Sequence, residues 1–150
     1  MDHETYMRRC LELAREAGDR GDSPVGSLIV VAGRVVAEAS EELPTGGAVT
    51  GHAEILAVQR AVDTLGGPDL SGGTLYTTAE PCFMCSYVIR QARIASVVYG
   101  RSTPLIGGIT SSHPILIAAD LDPWRPAPEV IGGVLEEECL ALRKRSSGGR

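Results

Sequence analysis

A chain of 150 residues, 43% hydrophobic and 22% charged, has the makeup of an ordinary globular domain with enough length to bury a core. A net charge of -5 argues against broad contact with polyanions, because phosphate binding is carried by basic patches. No apolar run approaches the roughly 20 residues of a membrane-spanning helix, and the polar start Met1-Asp2-His3-Glu4 does not read as a secretory signal, so a cytoplasmic protein is expected.

Thr5–Gly18 places Met7, Cys10, Leu11, Ala14 and Ala17 on one face, the pattern of an amphipathic helix, and Gly18 and Gly21 end it. Val25–Val31 and Arg34–Ala39 are β-rich, and Ala32-Gly33 between them signals a two-residue hairpin. Glu41–Gly51, with Pro44, Gly46 and Gly47, reads as a loop that delivers the chain to His52. A second helix opens there: Glu54–Val62 combines helix formers with an apolar stripe, and Gly66-Gly67-Pro68 closes it. The strand Thr74–Thr78 leads straight into Ala79-Glu80-Pro81-Cys82, followed by a helix, Cys82–Gln91, and a strand, Ala95–Tyr99.

Arg101–Pro128 is rich in Gly, Ser and Pro, and its apolar patch, Pro114–Ala119, has the size of one or two helical turns. Glu129–Ile131 reads as a short last strand, Val134–Arg145 as the final helix and Ser146–Arg150 as a frayed tail. Helices alternating with strands predict a single α/β domain over residues 1–150, a three-layer α/β/α arrangement around a mixed sheet of about five strands. Cys10 and Cys139 fall on apolar helical stripes and are expected to be buried free thiols.

Two segments carry the chemistry. His52, Cys82 and Cys85 supply a neutral imidazole and two thiolates, a ligand set suited to one Zn²⁺ per chain. Three protein ligands leave a position for water, and His3, His113, Cys10 and Cys139 have no spacing that would make one of them a paired fourth. Pro81 favours a helix start, which puts Cys82 and Cys85 on one face of the first turn, where free amides favour thiolates. Glu54, two residues past the histidine, is expected to be catalytic, moving protons between the zinc-activated water, a ring nitrogen and the leaving amine. The Ala53 N–H is expected to bind the product oxygen. This H-x-E…P-C-x-x-C pattern is the signature of zinc deaminases. A redox pair or a structural zinc knuckle would need no His-x-Glu upstream.

On these residues the chain resembles the cytidine deaminase-like superfamily, in the branch that holds guanine deaminases, fungal-type cytosine deaminases and bacterial tRNA adenosine deaminases. The resemblance runs from the first helix to the last and rests on Pro24-Val25-Gly26, His52-Ala53-Glu54 and Thr77–Cys85. It implies that family's fold, one catalytic zinc and a homodimer in which the partner helps build each site.

The departures from that branch bear on the substrate. An asparagine about eleven residues before the zinc histidine usually holds the ring there; here the place falls nearest Glu41, whose carboxylate only accepts hydrogen bonds. Glu41 is therefore expected to read ring N–H donors, the other reading being a solvated loop charge. The Asp-Pro-Thr-Ala segment of tRNA enzymes is replaced by Ala48-Val49-Thr50-Gly51, and the counterpart of their lysine-bearing loop, Ser102–Gly108, contains no lysine. Glu80 is expected to bind a ring amino group or shuttle the second proton, as a second acidic residue does in guanine deaminases, or else to orient the metal loop. Trp124, in the segment that roofs the pocket in relatives, is expected to stack on a base or to pack in the core.

The function expected is hydrolytic deamination of a free aminated heterocycle, cytosine-like, guanine-like or an aminotriazine, with water as co-substrate and no nucleic-acid or membrane partner. The alternative within the same chemistry is conversion of the tRNA wobble adenosine to inosine. An alternative of another class is a non-catalytic zinc-binding interaction module, which would have no use for Glu54.

Overall fold

The structure, a computed structural model, describes residues 2–121 and 123–145; the expected frayed tail, 146–150, lies outside the described residues. Helix α1 (His3–Asp19) is capped by Asp2, whose carboxylate accepts from the Thr5 amide at 2.8 Å. Strands β1 (Gly26–Val31) and β2 (Arg34–Ser40) form the expected hairpin, with Val31 opposite Arg34. Ala32 and Gly33 both adopt left-handed φ, 51° and 76°, the turn that matches the twist of paired strands.

The segment expected as a loop before His52 holds one helical turn, α2 (Leu43–Gly46), with Pro44 in its first positions. Helix α3 (Ala53–Leu65) ends at Gly66 in the left-handed region, φ 78°. Strand β3 (Thr74–Ala79), helix α4 (Phe83–Gln91), strand β4 (Ser96–Arg101), strand β5 (Glu129–Ile131) and helix α5 (Glu136–Arg145) complete the order.

The five strands lie in the order β2-β1-β3-β4-β5. β1 runs antiparallel to both its neighbours, while β3, β4 and β5 are parallel, so the sheet is mixed. Side chains alternate between its faces. Leu28, Val30, Tyr76 and Val98 join Met7, Cys10, Leu11 and Ala14 of α1 and Cys139 and Leu142 of α5 in one core. Ile29, Leu75 and Val97 point the other way, into a core with Ala57, Val58 and Ala61 of α3 and Ile89 of α4. The layers are those expected: helices on both faces of a mixed sheet.

Gly26 shows why the Pro24-Val25-Gly26 motif requires glycine. A Cβ there would lie 2.2 Å from the Cys10 carbonyl oxygen and 2.7 Å from the Ala14 nitrogen, so α1 rests with its backbone directly on β1.

Pro114–Ala119 forms no α-helix. Leu116 is buried in the core beside Ile89, and Arg90 takes the carbonyls of Ile115, Leu116 and Ala118 that a helix would have used. A single 3₁₀ turn follows at Ala119–Leu121. No helix among the described residues is long and apolar enough to cross a membrane.

Candidate metal centre and active site

Two helix starts face each other across the site. His52 is the N-cap of α3 and Cys82 the N-cap of α4, both in extended backbone, with Cys85 in the first turn of α4. His52 Nδ1 lies 3.5 Å from the Sγ of Cys82 and 3.5 Å from that of Cys85. Zinc bond lengths of about 2.0–2.1 Å to nitrogen and 2.3 Å to sulfur, at tetrahedral angles, need an N···S edge of roughly 3.6 Å. The three side chains therefore fit zinc. Both cysteines are buried and His52 is half-buried, so one side of the site stays open. The Cys85 thiol, and after it the His52 imidazole, pull the Cys82 thiol down to about 3 against the burial that opposes its charge.

Glu54, in the first turn of α3, is buried, with its carboxylate within 4.8 Å of the His52 imidazole. Glu41 occupies the same neighbourhood, equally buried and within the same distance of His52 and Glu54. It is not a solvated loop charge. Its Oε1 accepts the Ala53 N–H at 3.1 Å, so the amide expected to meet a product oxygen is engaged by Glu41 in this structure. Arg20 steadies the same loop by donating to the Ser40 hydroxyl at 2.9 Å and the Glu41 carbonyl at 3.0 Å. Buried Asp22 holds α2 through the Thr45 amide and hydroxyl. Neither Arg20 nor Asp22 carries a motif that would have singled it out in the sequence.

Glu80 has partners different from the substrate-facing ones expected. Its fully buried carboxylate accepts the amides of Thr103, Ile109 and Thr110 at 2.9, 2.8 and 2.8 Å, and the Thr110 hydroxyl at 2.5 Å. A Cβ on Gly107 would sit 2.0 Å from its Oε2. Glu80 thus ties the segment after β4 to the metal loop, where Gly107 pairs with Cys82 and Gly108 donates to the Pro81 carbonyl at 2.8 Å.

Trp124 does not reach the metal ligands. It stacks on Tyr87 with ring centroids 5.3 Å apart. Tyr87 is two residues past Cys85, about 200° around the helix, and so on the side of α4 turned from the ligands. The ring contact of Trp124 is therefore on that side of α4. Arg90, which no sequence motif singles out, is buried near the end of α4 and binds the carbonyls of Ile115, Leu116, Ala118 and Arg125.

A mixed α/β/α sheet that holds a histidine and two cysteines at facing helix starts, with a carboxylate beside them, is the arrangement of the zinc deaminases. The family described as the cytidine and deoxycytidylate deaminase zinc-binding region matches residues 1–101, and the chain belongs to it. Zinc is the cofactor, and His52, Cys82 and Cys85 are positioned to bind it.

The chain is 35% identical to a tRNA-specific adenosine deaminase of Bacillus subtilis, over 98% of this chain and 94% of that protein. It is 39% identical to a guanine deaminase of Bacillus subtilis, over 66% of this chain and 64% of that one. A structure solved in a study of A-to-I editing by tRNA:A34 deaminases superposes with a TM-score of 0.86 at 35% identity, covering 92% of this chain and 98% of the other.

Proposed function

We propose that this deaminase acts on adenosine within tRNA, converting it to inosine at the wobble position. The likeness to a tRNA-specific adenosine deaminase along almost the whole of both chains carries the reading, whereas the likeness to guanine deaminase spans about two thirds of each. The balance therefore moves from the free base, expected from the sequence, to its alternative, and nucleic acid enters as a partner.

Zinc, when bound by His52, Cys82 and Cys85, makes water acidic enough to supply hydroxide at neutral pH. Glu54 takes the proton of the attacking water and passes it to the ring nitrogen beside the amine-bearing carbon. The same carboxylate then moves the proton of the added hydroxyl to the amine, the C–N bond breaks, and ammonia leaves while the oxygen stays on the ring as a carbonyl. The burial of Glu54 keeps bulk water from this exchange. Glu41 holds the start of α3 through the Ala53 amide, and Glu80 acts through the segment it binds.

The free base remains a second reading, favoured by Glu41 in the place of the branch's asparagine and by the lysine-free Ser102–Gly108. The test is zinc-loaded enzyme with a tRNA transcript and, separately, with free aminopyrimidines, aminopurines and aminotriazines. Inosine in the anticodon loop is the expected product. Ammonia from a free base with the tRNA untouched would transfer the assignment to the second reading.

A homodimer belongs to the same proposal. We place its contact on the outer α3–α4 face, where Leu65 and Tyr87 stand 44% and 56% exposed. Light scattering on the eluted protein should give the mass of two chains. A cytoplasmic location is likewise part of this reading.

A further inference from the structure

We propose that Arg90 is a positioning residue, which holds the chain at 115–118 and at Arg125 and through it the wall of the active site beside Cys82. Arginine is almost never fully buried unless it is paired, and Arg90 is 1% exposed. Its Nη1 donates to the Ile115 and Ala118 carbonyls, both at 2.9 Å, and at 3.4 Å to that of Leu116. Its Nε, at 3.1 Å, and its Nη2 both donate to the Arg125 carbonyl. A planar fork with five donors suits carbonyls converging from several directions, and a lysine ammonium does not reproduce it.

The held segment is hydrogen-bonded in series to the metal loop. The Leu116 amide donates to the Gly108 carbonyl at 3.0 Å, and the Gly108 amide to Pro81 at 2.8 Å. Gly107 pairs with Cys82, and the space over Gly108 is filled by Ser86 of α4, whose Oγ a Cβ would meet at 2.0 Å. Helix α4 therefore grips one segment twice, at its N-terminus beside the metal ligands and near its C-terminus through Arg90. Phe83 of α4 meets His113 edge-on between the two grips, with centroids 6.1 Å apart. Without the guanidinium, the carbonyls of Ile115, Leu116, Ala118 and Arg125 lose their common donor and the wall from Gly107 onward loses its far anchor.

The test uses the zinc-loaded full chain with Arg90→Met and Arg90→Lys, the second covering the case in which the first fails to fold. The first readout is chymotrypsin cleavage at Leu116, Leu121 or Trp124, with and without millimolar methylguanidinium. The second is KM and kcat for whichever substrate the wild-type enzyme turns over. Both variants should keep one zinc per chain and be cleaved faster than wild type. Methylguanidinium should restore protection in Arg90→Met but not in Arg90→Lys, whose ammonium fills the space. KM should rise roughly tenfold with kcat within about threefold, the signature of lost binding geometry. Zinc-loaded variants with wild-type cleavage and wild-type KM would overturn the proposal. Loss of zinc in both variants would overturn it too, since Arg90 would then be needed for the metal loop itself. Cleavage and its rescue need no substrate, so they stand apart from the tRNA assignment.

Discussion

Glu41 and Glu54 lie beside His52, while Glu80 is buried behind the metal loop, and each of the three carboxylates is defined by its partners. Glu54 is the one assigned to proton transfer. Glu54→Gln keeps the shape but cannot carry a proton, so zinc content should be unchanged while turnover falls by about 10²–10⁴. Cys82→Ala and Cys85→Ala should instead fail to retain zinc, read by metal analysis of the purified protein. Stoichiometric zinc in both cysteine variants would refute the ligand assignment. Glu41→Ala leaves the Ala53 N–H without its acceptor inside the protein, at a cost of about 1–3 kcal/mol, whereas Glu41→Gln keeps an oxygen there and should cost less. Chemical denaturation of the two variants measures the difference. The remaining cysteines behave as expected for core residues: burial pushes the Cys139 thiol up to about 12 and the Cys10 thiol well above its usual range. After chelation, a thiol reagent at neutral pH should label Cys82 and leave Cys10 and Cys139 unlabelled until the chain unfolds.

At the scale of elements, most of the chain was readable because period and punctuation are local. The stripe of Met7, Cys10, Leu11, Ala14 and Ala17 appears as the buried face of α1, and the Ala32-Gly33 signal as a two-residue turn. The apolar run Pro114–Ala119 has the size of one or two helical turns but forms no α-helix, because its hydrogen-bond partner, Arg90, is 25–28 residues away. Gly26 makes the packing of elements testable. Its missing Cβ would overlap backbone atoms of α1, which cannot rotate away, so Gly26→Ala should cost at least about 1–3 kcal/mol. A denaturation midpoint equal to wild type would show that α1 is free to lift off β1.

For the whole molecule, zinc would join the starts of α3 and α4, two helices that share one core face of the sheet. Metal binding that favours the folded state raises its stability, so chelation should lower the thermal midpoint, and added zinc should restore it. On the opposite face, the Arg9 guanidinium of α1 donates to Glu38 of β2 at 2.7 and 2.9 Å, and holds that carboxyl below its ordinary 4.5. A depressed carboxylate adds stability above its unfolded value that is lost as pH falls through the folded one. The pair is a third exposed, so the contribution stays below about 1 kcal/mol. Arg9→Met should make the acid-side fall of the thermal midpoint slightly shallower.

The sequence by itself determined the three metal-binding side chains, the carboxylate beside them and the order of helices and strands. These depend on residues a few positions apart, whose spacing around a helix or along a strand is fixed by backbone geometry. Only the tertiary structure decided what Glu41, Glu80, Arg90 and Trp124 touch. The donors to Glu80 lie 23–30 residues from it and the acceptors of Arg90 25–35, distances over which a sequence carries no periodic signal. A buried charge takes whichever backbone groups the fold brings to it, and that is settled only when the layers close.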